Sequence, residues 1–445
     1  MRPIGLLIVA ALLAAPLIEF APLTAQHDPS AVFSQYIGCV ALIAMAIGQV
    51  LATRLPFVEP LFGGLDRVYV LHKWLGIGAL AAVLIHDTVD AEIDGLAPET
   101  WLTDLAETLG EISLYGFVIL VLITIVTFIP YHLWRWSHKL MGTFFALSVF
   151  HFAFMSKPFA NTDMTGSYML AICAAGLVAY VYTLLPSLGR RTAIPYEVEK
   201  VEQSGGAITV GLKPMGKAIK QHAGQFAFVS FDLPQLNETH PFTISSAPRE
   251  DQTLQFTIKP LGDYTARLEG RLKQGTKATL SPAYGHFRLR SGAKAQIWVA
   301  AGIGITPFKA WLEDVTPEHG KIDLFFCFKG HQNAPHLAHL EALAAQLDNV
   351  TLHKIDSRTE PRLTAATIDQ ATDGDLKKAQ VYFCGPAGMR ESLRRDLQSK
   401  GVANRRFHYE EFEIRSGIGV RKFINFAMQK SGLARRYPDA IGKMV

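Results

Sequence analysis

Four histidines lie in two apolar stretches of the chain at nearly equal spacing. His72 and His86 are fourteen residues apart, and His138 and His151 are thirteen residues apart. At about 1.5 Å per helical residue both spacings correspond to roughly 20 Å, so each helix would carry one imidazole near each face of a bilayer. Neutral imidazole is a good iron ligand, and two facing pairs at two levels suit two bis-histidine haems.

Other functions of these histidines stay open at this point. Imidazoles at helix ends can lie at the membrane interface without binding a metal, or can serve as proton relays in a transporter. A site for one metal ion is a weaker alternative, because the two levels are too far apart to share an ion. Thirteen residues of ideal helix also miss the starting face by about 140°. The helix with His138 and His151 must therefore bend, change pitch or present its rings on different sides.

A glycine-rich segment in the C-terminal half has the composition of a phosphate-binding turn. Gly302, Gly304, Thr306 and Pro307 follow an apolar strand and precede a predicted helix. Glycines let the backbone approach a pyrophosphate, and a helix N-terminus favours its negative charge. The spacing differs from the six-position dinucleotide fingerprint, so the place after a strand carries most of the weight.

Two further segments carry groups that suit a flat ring and a phosphate. His240–Ser246 combines an aromatic side chain with several hydroxyls, which would stack on a ring system and hydrogen-bond to its nitrogens. An ordinary edge strand is the alternative for this segment. Lys259–Thr265 precedes a predicted helix that extends to about Lys273, and its backbone N–H groups would surround a phosphate.

The elements that position these residues fall into an apolar part and a polar part. Hydrophobic residues make up 49% of the 445 residues, and charged residues make up 18%, below the typical share of about 25%. The apolar excess lies in the first 186 residues, where a retained first helix is favoured over a signal peptide because Ala21-Pro22-Leu23 is a poor cleavage site. We predict six membrane spans: Ile4–Leu23, Ala31–Leu51, Tyr69–His86, Ile112–Ile129, His138–Met155 and Tyr168–Pro186.

The distribution of charge predicts the orientation of these spans. Basic residues lie at one set of helix ends. The opposite loops hold Lys157 as their only Lys or Arg, and one of them contains the acidic segment Asp87–Gly110. The positive-inside rule therefore places the N-terminus, the loops Phe57–Lys73 and Pro130–Lys139 and everything after Arg191 in the cytoplasm. We expect a multi-pass protein of the cytoplasmic membrane whose partner is the lipid bilayer. A net charge of only +4 excludes a protein that coats nucleic acid.

The chain after Arg191 has the pattern of a soluble protein. Short alternating strands with Gly and Pro turns, from about Ile194 to Arg290, predict an antiparallel β-barrel. From Gln296 the order of strand, glycine turn, helix and strand predicts a doubly wound α/β nucleotide-binding domain. We therefore expect four regions: a membrane α-helical bundle over 1–190, a β-barrel over 191–292, an α/β domain over 293–415 and an extension over 416–445.

Together these features resemble the ferric reductase and NADPH oxidase superfamily, over nearly the whole chain up to about Arg415. In that superfamily a six-helix domain holds two haems through histidine pairs at the same spacing. The soluble half resembles the FAD barrel and nucleotide domain of the ferredoxin–NADP reductase family. The resemblance implies a flavocytochrome b of the bacterial NADPH oxidase type, with an inner b-type haem on His72 and His138 and an outer one on His86 and His151.

The motifs of these families assign roles to the residues above. The flavin motif implies that Phe242 and Thr243 lie at the isoalloxazine and that His240 lies near the FAD pyrophosphate. The residues assigned to FAD are His240, Pro241, Phe242, Thr243, Ser245, Lys259, Gly262, Tyr264 and Thr265. The residues assigned to the nicotinamide nucleotide by motif are Gly302, Gly304, Thr306, Pro307, Cys384, Gly385 and Pro386.

Three residues of the soluble half are expected at the reacting rings. The family places the cysteine that corresponds to Cys384 near the hydride-transferring carbon, Thr243 at the flavin, and an aromatic matched by Phe412 as a shield over the flavin. Lys329 and Arg358 follow the second and third strands of the α/β domain, where either would meet a 2′-phosphate or remain a solvated charge. NADPH is therefore favoured over NADH only weakly.

The resemblance implies that cytoplasmic NAD(P)H reduces FAD and that electrons then cross the membrane through the haems to O2, which becomes superoxide. A ferric or cupric acceptor is the alternative, because Asp90 stands where oxygen-reducing animal members have a further histidine. A haem relay subunit that feeds a partner reductase is another, although the complete flavin and nucleotide half argues against it. Obligatory protein partners are not indicated. About thirty residues follow Phe412, which departs from the family pattern.

Overall fold

The computed structural model describes residues 1–55, 57–89, 93, 96, 100–125, 131–185, 193–372 and 376–410. The chain divides into two compact units at about residue 186. Phe412, Asp90 and the extension 416–445 lie outside the described residues.

The described part of the first unit is helical. Its helices are α1 (Pro3–Ala14), α2 (Leu17–Leu23), α3 (Pro29–Ala52), α4 (Glu59–Phe62), α5 (Leu65–Thr88), α6 (Trp101–Ile125), α7 (Tyr131–Lys139), α8 (Met141–Phe154) and α9 (Met164–Leu184). Helix α3 packs against α5 and α9, and α6 packs against α8. The fully buried side chains at these contacts include Ile43, Phe145 and Met169. The two histidine-bearing stretches therefore each pack against a neighbouring long helix.

Five helical stretches in the described residues are long and apolar enough to cross a bilayer: Pro3–Leu23, Pro29–Ala52, Leu65–Thr88, Trp101–Ile125 and Met164–Leu184. They overlap five of the predicted spans. The fourth starts at Trp101 rather than Ile112, so the end of the predicted acidic loop is helical. Thr100 and Thr103 exchange side-chain to backbone hydrogen bonds of 2.6 and 3.3 Å at this start, and Asp104 lies in the first turn, where carboxylates stabilise a helix.

The predicted fifth span is not one straight helix, and the predicted loop 130–139 is helical from residue 131. Helices α7 and α8 meet at Leu140, which keeps right-handed helical angles of φ −66° and ψ −15°. The Leu140 N–H donates to Ser137 O and the Thr143 N–H donates to Leu140 O, both at 3.0 Å. These bonds span three residues, as in a 3₁₀ turn.

The junction at Leu140 gives a physical reason for the thirteen-residue histidine spacing. The Ser137 hydroxyl donates to Trp134 O at 3.0 Å, and such a bond competes with the main-chain ladder of a helix. A 3₁₀ turn winds about 120° per residue instead of about 100°. The junction lies between His138 and His151, so it supplies part of the rotation that an ideal helix lacks.

The first half of the second unit is an antiparallel sheet with strand order β4-β3-β6-β1-β2-β5. Its elements are β1 (Ile194–Ser204), β2 (Ala207–Pro214), β3 (Phe226–Phe231), β4 (His240–Thr243), β5 (Leu254–Ile258), α10 (Asp263–Leu268) and β6 (Lys277–Leu280). A bridge between Ile244 and Phe256 links the two edge strands just beyond β4. Helix α10 ends at Leu268 rather than near Lys273, because Glu269 is extended and Gly270 has a φ of +72°.

The second half of this unit is a five-stranded parallel sheet with strand order β11-β10-β7-β8-β9. Its elements are β7 (Ala295–Ala301), α11 (Thr306–Leu312), β8 (Lys321–Phe328), α12 (Leu337–Ala344), β9 (Val350–Asp356), α13 (Ala365–Ala371), β10 (Gln380–Cys384), α14 (Ala387–Ser399) and β11 (Phe407–Tyr409). Buried apolar clusters cover both faces of the sheet. The order reverses between β7 and β10, which is the topological switch point where such sheets bind ligands.

Candidate cofactor sites

The four predicted haem-ligand histidines form two pairs in the first unit. The ring centroids of His72 and His138 are 6.1 Å apart, with an interplanar angle of 65°. Those of His86 and His151 are 6.4 Å apart, with an angle of 75°. Within the described residues, no group of three or more His, Cys, Asp or Glu side chains lies close enough to hold a metal ion. The imidazoles are therefore arranged as pairs.

The separation of each pair leaves room for one iron between the rings. A metal–imidazole bond is about 2.0 Å long, and the ring centroids are 6.1 and 6.4 Å apart. Edge-to-face contact between two rings covers the same range of about 4.5–7 Å, so the hydrogen bonds at Nδ1 carry the argument for ligation.

Hydrogen bonds at Nδ1 fix the tautomer of three of these histidines. His72 Nδ1 lies 3.0 Å from Gly48 O, His86 Nδ1 lies 2.9 Å from Ser34 O, and His151 Nδ1 lies 2.9 Å from Ala106 O. A carbonyl only accepts, so each Nδ1 carries the hydrogen and the Nε2 lone pair is available to a metal. This arrangement is typical of metal-ligating histidines.

Glycines let two of these imidazoles reach their carbonyls. Gly38 and Gly110 lie four residues after Ser34 and Ala106, and a Cβ added to them would lie 3.2 and 2.5 Å from the Nδ1 of the histidine. A side chain in that position of a helix lies over the carbonyl of the preceding turn. Sequence reasoning missed these glycines; the available signal was an isolated glycine inside each apolar helical stretch.

Aromatic side chains pack between the two histidine levels. Phe145 is fully buried, and Phe144 packs against Gly116, where an added Cβ would overlap its ring. The rings of Phe144 and Phe117 are 6.2 Å apart. Packing against neighbouring helices therefore explains the burial of these phenylalanines. Their position between the two histidine levels is also where an aromatic bridge between two haems would lie.

The two predicted FAD motifs meet in the second unit. His240 on β4 stacks on Tyr264 of α10, with ring centroids 3.8 Å apart. The Tyr264 hydroxyl donates to Leu236 O at 3.2 Å, and burial raises the pKa of this phenol above its usual value. Phe242 is half-buried and Thr243 is buried, while Pro241 is exposed. The stack joins the flavin motif to the phosphate motif.

Two of the hydroxyl groups predicted to bind FAD have other local contacts. Thr265 Oγ1 accepts from the backbone N–H groups of Leu261 and Gly262, at 2.9 and 3.1 Å. This bond shapes the Gly262 turn. Ser245 is fully buried, and its Oγ lies 2.9 Å from Thr257 Oγ1. Lys259 is half-buried just beyond β5.

The predicted nucleotide turns meet at the switch point. An added Cβ on Gly304 would overlap Cys384 O, and one on Gly385 would lie 2.8 Å from Ala301 Cβ. Gly302 has a φ of +55°, a conformation that favours glycine. Thr306 Oγ1 donates to Ile303 O at 3.1 Å, and Pro307 lies in the first turn of α11. Pro386 is the N-cap of α14. Burial and the carboxylate of Glu410 raise the pKa of the Cys384 thiol well above its usual value.

The two cations predicted near a 2′-phosphate lie at the ends of neighbouring strands. Arg358 Nη1 would lie 2.7 Å from a Cβ on Gly330, so its guanidinium covers the turn that begins with Lys329. Asp356 Oδ1 accepts from the N–H groups of Gly330 and Arg358, at 2.8 and 3.0 Å, and these bonds lower the pKa of the carboxyl. Lys329 is exposed.

Two family models match the chain. One is a ferric reductase like transmembrane component, over residues 37–149. The other is an FAD-binding domain, over residues 199–388. This combination of domains is consistent with the ferric reductase and NADPH oxidase superfamily. The first match contains three of the four paired histidines, and the second contains both flavin motifs and the nucleotide turns.

Three curated relatives of the chain are named as electron transfer, demethylase or oxidase proteins. The toluate 1,2-dioxygenase electron transfer component of Pseudomonas putida is 25% identical over 215 residues, 46% of this chain and 63% of that protein. The heme-dependent oxidative N-demethylase beta subunit of Ectopseudomonas mendocina is 32% identical over 145 residues, 33% of this chain and 44% of that protein. Dual oxidase 2 of Rattus norvegicus is 25% identical over 291 residues, 56% of this chain and 18% of that protein. The chain spans less than two thirds of each of them.

A buried ion pair joins the FAD-binding sheet to the parallel sheet, and sequence reasoning missed it. Lys309 is 2% exposed. Its ammonium donates to Ser245 O at 2.9 Å, to Gln255 Oε1 at 3.2 Å and to Glu313 Oε1 at 2.5 Å. The Ala247 N–H donates to Glu313 Oε2 at 2.9 Å. The signal was a lysine on an otherwise apolar helix directly after the glycine turn.

Glu410 is a second residue of the soluble unit that sequence reasoning did not single out. Its side chain is 5% exposed. A Cβ on Gly285 would lie 3.0 Å from Glu410 Oε1, so the glycine makes room for the carboxylate. No pattern in the sequence separates this glutamate from its neighbour Glu411.

Proposed function

We propose that this protein transfers electrons across a membrane from NAD(P)H, through FAD and two b-type haems, to O2, which leaves as superoxide. The bound FAD and haems supply the redox chemistry, and the protein supplies binding, orientation and electrostatics. The observation that carries the proposal is the pair of imidazole pairs, each with room for one iron between its rings. The family match to a transmembrane component and an FAD-binding domain supports the rest of the path.

The membrane arrangement proposed here has six spans. The broken stretch α7–α8 would be the fifth, and the soluble unit and the N-terminus would lie in the cytoplasm of the cell, with the protein in the cytoplasmic membrane. The distribution of basic residues supports this orientation. The bridge between Ile244 and Phe256 supports closure of the antiparallel sheet into a barrel.

The four histidines would hold the two haems, with His72 and His138 on the cytoplasmic side. Nδ1 hydrogen bonds to backbone carbonyls hold three of the rings in the tautomer that presents Nε2. All four rings are half-buried among the helices. Hydrogen bonds of this kind would keep the rings oriented toward a bound iron.

The soluble unit would bind the electron donor and the flavin. The Gly302 turn and the Cys384–Pro386 turn would hold the nicotinamide nucleotide at the switch point, with Lys329 and Arg358 at a 2′-phosphate. His240, Tyr264 and the Gly262 turn would hold the FAD phosphates, and Phe242 and Thr243 would contact the flavin ring. The buried Cys384 thiol stays protonated, so it offers an uncharged wall where hydride passes from the nicotinamide. Phe412 would shield the flavin.

Sidedness in sealed vesicles tests the proposal. The purified chain is reconstituted alone, without a partner protein, and FAD and NADPH are added on the side of the soluble unit. An impermeant superoxide probe on the opposite side should respond, and a His86→Ala, His151→Ala variant should lose this response while NADPH still reduces an added flavin-level dye. A ferric or cupric chelate replaces oxygen in a parallel experiment, to rank the acceptors. Donor and acceptor that react on the same side would overturn the proposal.

A further inference from the structure

His138 differs from the other three paired histidines in its hydrogen bond. In the described residues its Nδ1 lies 3.4 Å from Thr124 Oγ1 on α6, whereas the other three reach a main-chain carbonyl at 2.9 to 3.0 Å. The Thr124 hydroxyl donates to Leu120 O at 2.8 Å. Its hydrogen is therefore engaged, and the oxygen accepts from His138. Trp134 stacks on the His138 ring, with centroids 5.2 Å apart.

The helix registers explain why His138 lacks a carbonyl. On α3 the acceptors Ser34 and Gly48 are fourteen residues apart, the same spacing as their histidines on α5, so both carbonyls face that helix. On α6 the residue fourteen positions after Ala106 is Leu120, whose carbonyl lies on nearly the same face as that of Ala106. Gly110, four residues after Ala106, leaves the Ala106 carbonyl open to His151, whereas Thr124 stands four residues after Leu120 and its hydroxyl donates to the Leu120 carbonyl. The Thr124 oxygen therefore takes the place of a carbonyl at His138 Nδ1.

A hydroxyl at this distance is a weaker acceptor than a carbonyl at 2.9 Å. The acceptor at Nδ1 matters because it raises the electron density of the imidazole and so stabilises ferric over ferrous iron. The Thr124 hydroxyl also differs from the carbonyl acceptors because a side chain can be replaced by mutation, whereas a backbone carbonyl cannot. His86 Nδ1 also lies 3.1 Å from Ser34 Oγ, in addition to the Ser34 carbonyl. Among the described contacts, His138 is therefore the one of the four histidines whose Nδ1 meets a side-chain oxygen and no carbonyl.

We propose that Thr124 is a positioning residue that sets the redox potential of the haem held by His72 and His138 separately from that of the other haem. This inference rests on the proposed function, which supplies the haems. One electron reduces each ferric iron to ferrous iron without a proton. Removing the Thr124 oxygen removes the acceptor that the described residues place at His138 Nδ1, so ferrous iron would gain relative stability at that level.

The experiment is a potentiometric titration of the detergent-purified full chain, followed in the haem absorbance bands and in the low-spin electron paramagnetic resonance signals. Thr124→Val keeps the shape of the side chain and removes the acceptor, whereas Thr124→Ser keeps the hydroxyl. Thr108→Val is the matched control, because the Thr108 hydroxyl makes the same bond to the carbonyl of Asp104 four residues earlier, at 3.0 Å, on an exposed part of α6.

In Thr124→Val we expect an upward shift of the midpoint potential of one haem. This haem should be the one that is missing from His138→Ala. The resonance signal of that haem should shift too, while Thr124→Ser and Thr108→Val should match the parent protein. Loss of that one haem from Thr124→Val, with retention in Thr124→Ser, would also support the proposal. Two unchanged potentials in Thr124→Val, or an equal shift in Thr124→Ser, would overturn it and leave the proposed function intact. A parent protein without haem would instead overturn the proposed function.

Discussion

At the scale of single residues, His336 is the clearest case of a side chain whose charge is controlled by its surroundings. Its Nε2 lies 2.7 Å from Thr257 Oγ1 and 3.3 Å from Thr209 Oγ1. The backbone N–H of His336 donates to Ser204 Oγ at 2.9 Å. Burial first, and then the nearby charge of Lys309, lower the pKa of His336 to about 4. The ring is therefore neutral where it joins the two soluble sheets.

This shift predicts a loss of stability in mild acid. The unfolded chain protonates the histidine near its usual pKa of 6.5, whereas the folded chain does so only near 4. The unfolded state therefore binds more protons as the pH falls from 6.5 to 4, and the free energy of unfolding of the soluble unit falls by on the order of 1–3 kcal/mol from this group. His336→Gln should flatten this part of the pH dependence in thermal denaturation, and the exposed His222→Gln should not. An unchanged slope in His336→Gln would contradict the assignment.

At the scale of helices, the contact between α6 and α8 depends on a glycine. A Cβ on Gly110 would lie 2.5 Å from His151 Nδ1, whereas a Cβ on Gly78 would meet no atom within 4 Å. Gly110→Ala should therefore displace the imidazole and lower the haem content to about one per chain, with the His72–His138 level retained. Gly78→Ala on α5 should keep two. The haem-to-protein ratio and the resonance signals measure this, and equal content in both variants would argue against the close approach.

Between the two soluble sheets, the buried ion pair of Lys309 and Glu313 should contribute to stability. Lys309→Met leaves the Glu313 carboxylate buried without its ammonium partner, and broken pairs of this kind cost about 3–5 kcal/mol. Arg249 Nη2, 3.7 Å from Glu313 Oε2, compensates only in part. We expect a large drop in urea stability for Lys309→Met and a smaller one for Lys309→Met with Glu313→Leu. If the double variant were no more stable than the single one, the pair would not be the source of the effect.

Some features of the helices and strands are predictable from the sequence and others are not. The glycine turns at Gly304 and Gly385 were predictable, because their position after apolar strands determines where they lie in a doubly wound sheet. The Nδ1 acceptors Ser34 and Ala106 were not, because a backbone carbonyl leaves no mark on the identity of its residue. The break at Leu140 lacks the Gly or Pro that usually indicates one, and only the thirteen-residue spacing required a distortion there.

At the scale of the whole molecule, the chain combines a helical unit that carries paired imidazoles with a unit whose two sheets carry flavin and nucleotide motifs. Each unit supplies a function that the other lacks. A helical unit without the soluble one would have no hydride acceptor, and a soluble unit alone would have no route across a bilayer. The central claim is therefore that electrons from NADPH reach the histidine pairs.

The most direct measurement is an anaerobic absorbance spectrum of the detergent-purified chain with FAD, before and after NADPH. We expect the bands of reduced bis-histidine b-type haem after NADPH, with one haem lost in His72→Ala and one in His86→Ala. Haem bands that NADPH leaves oxidised would contradict electron transfer from the soluble unit to the haems. A purified chain without any haem bands would contradict haem binding by the histidine pairs.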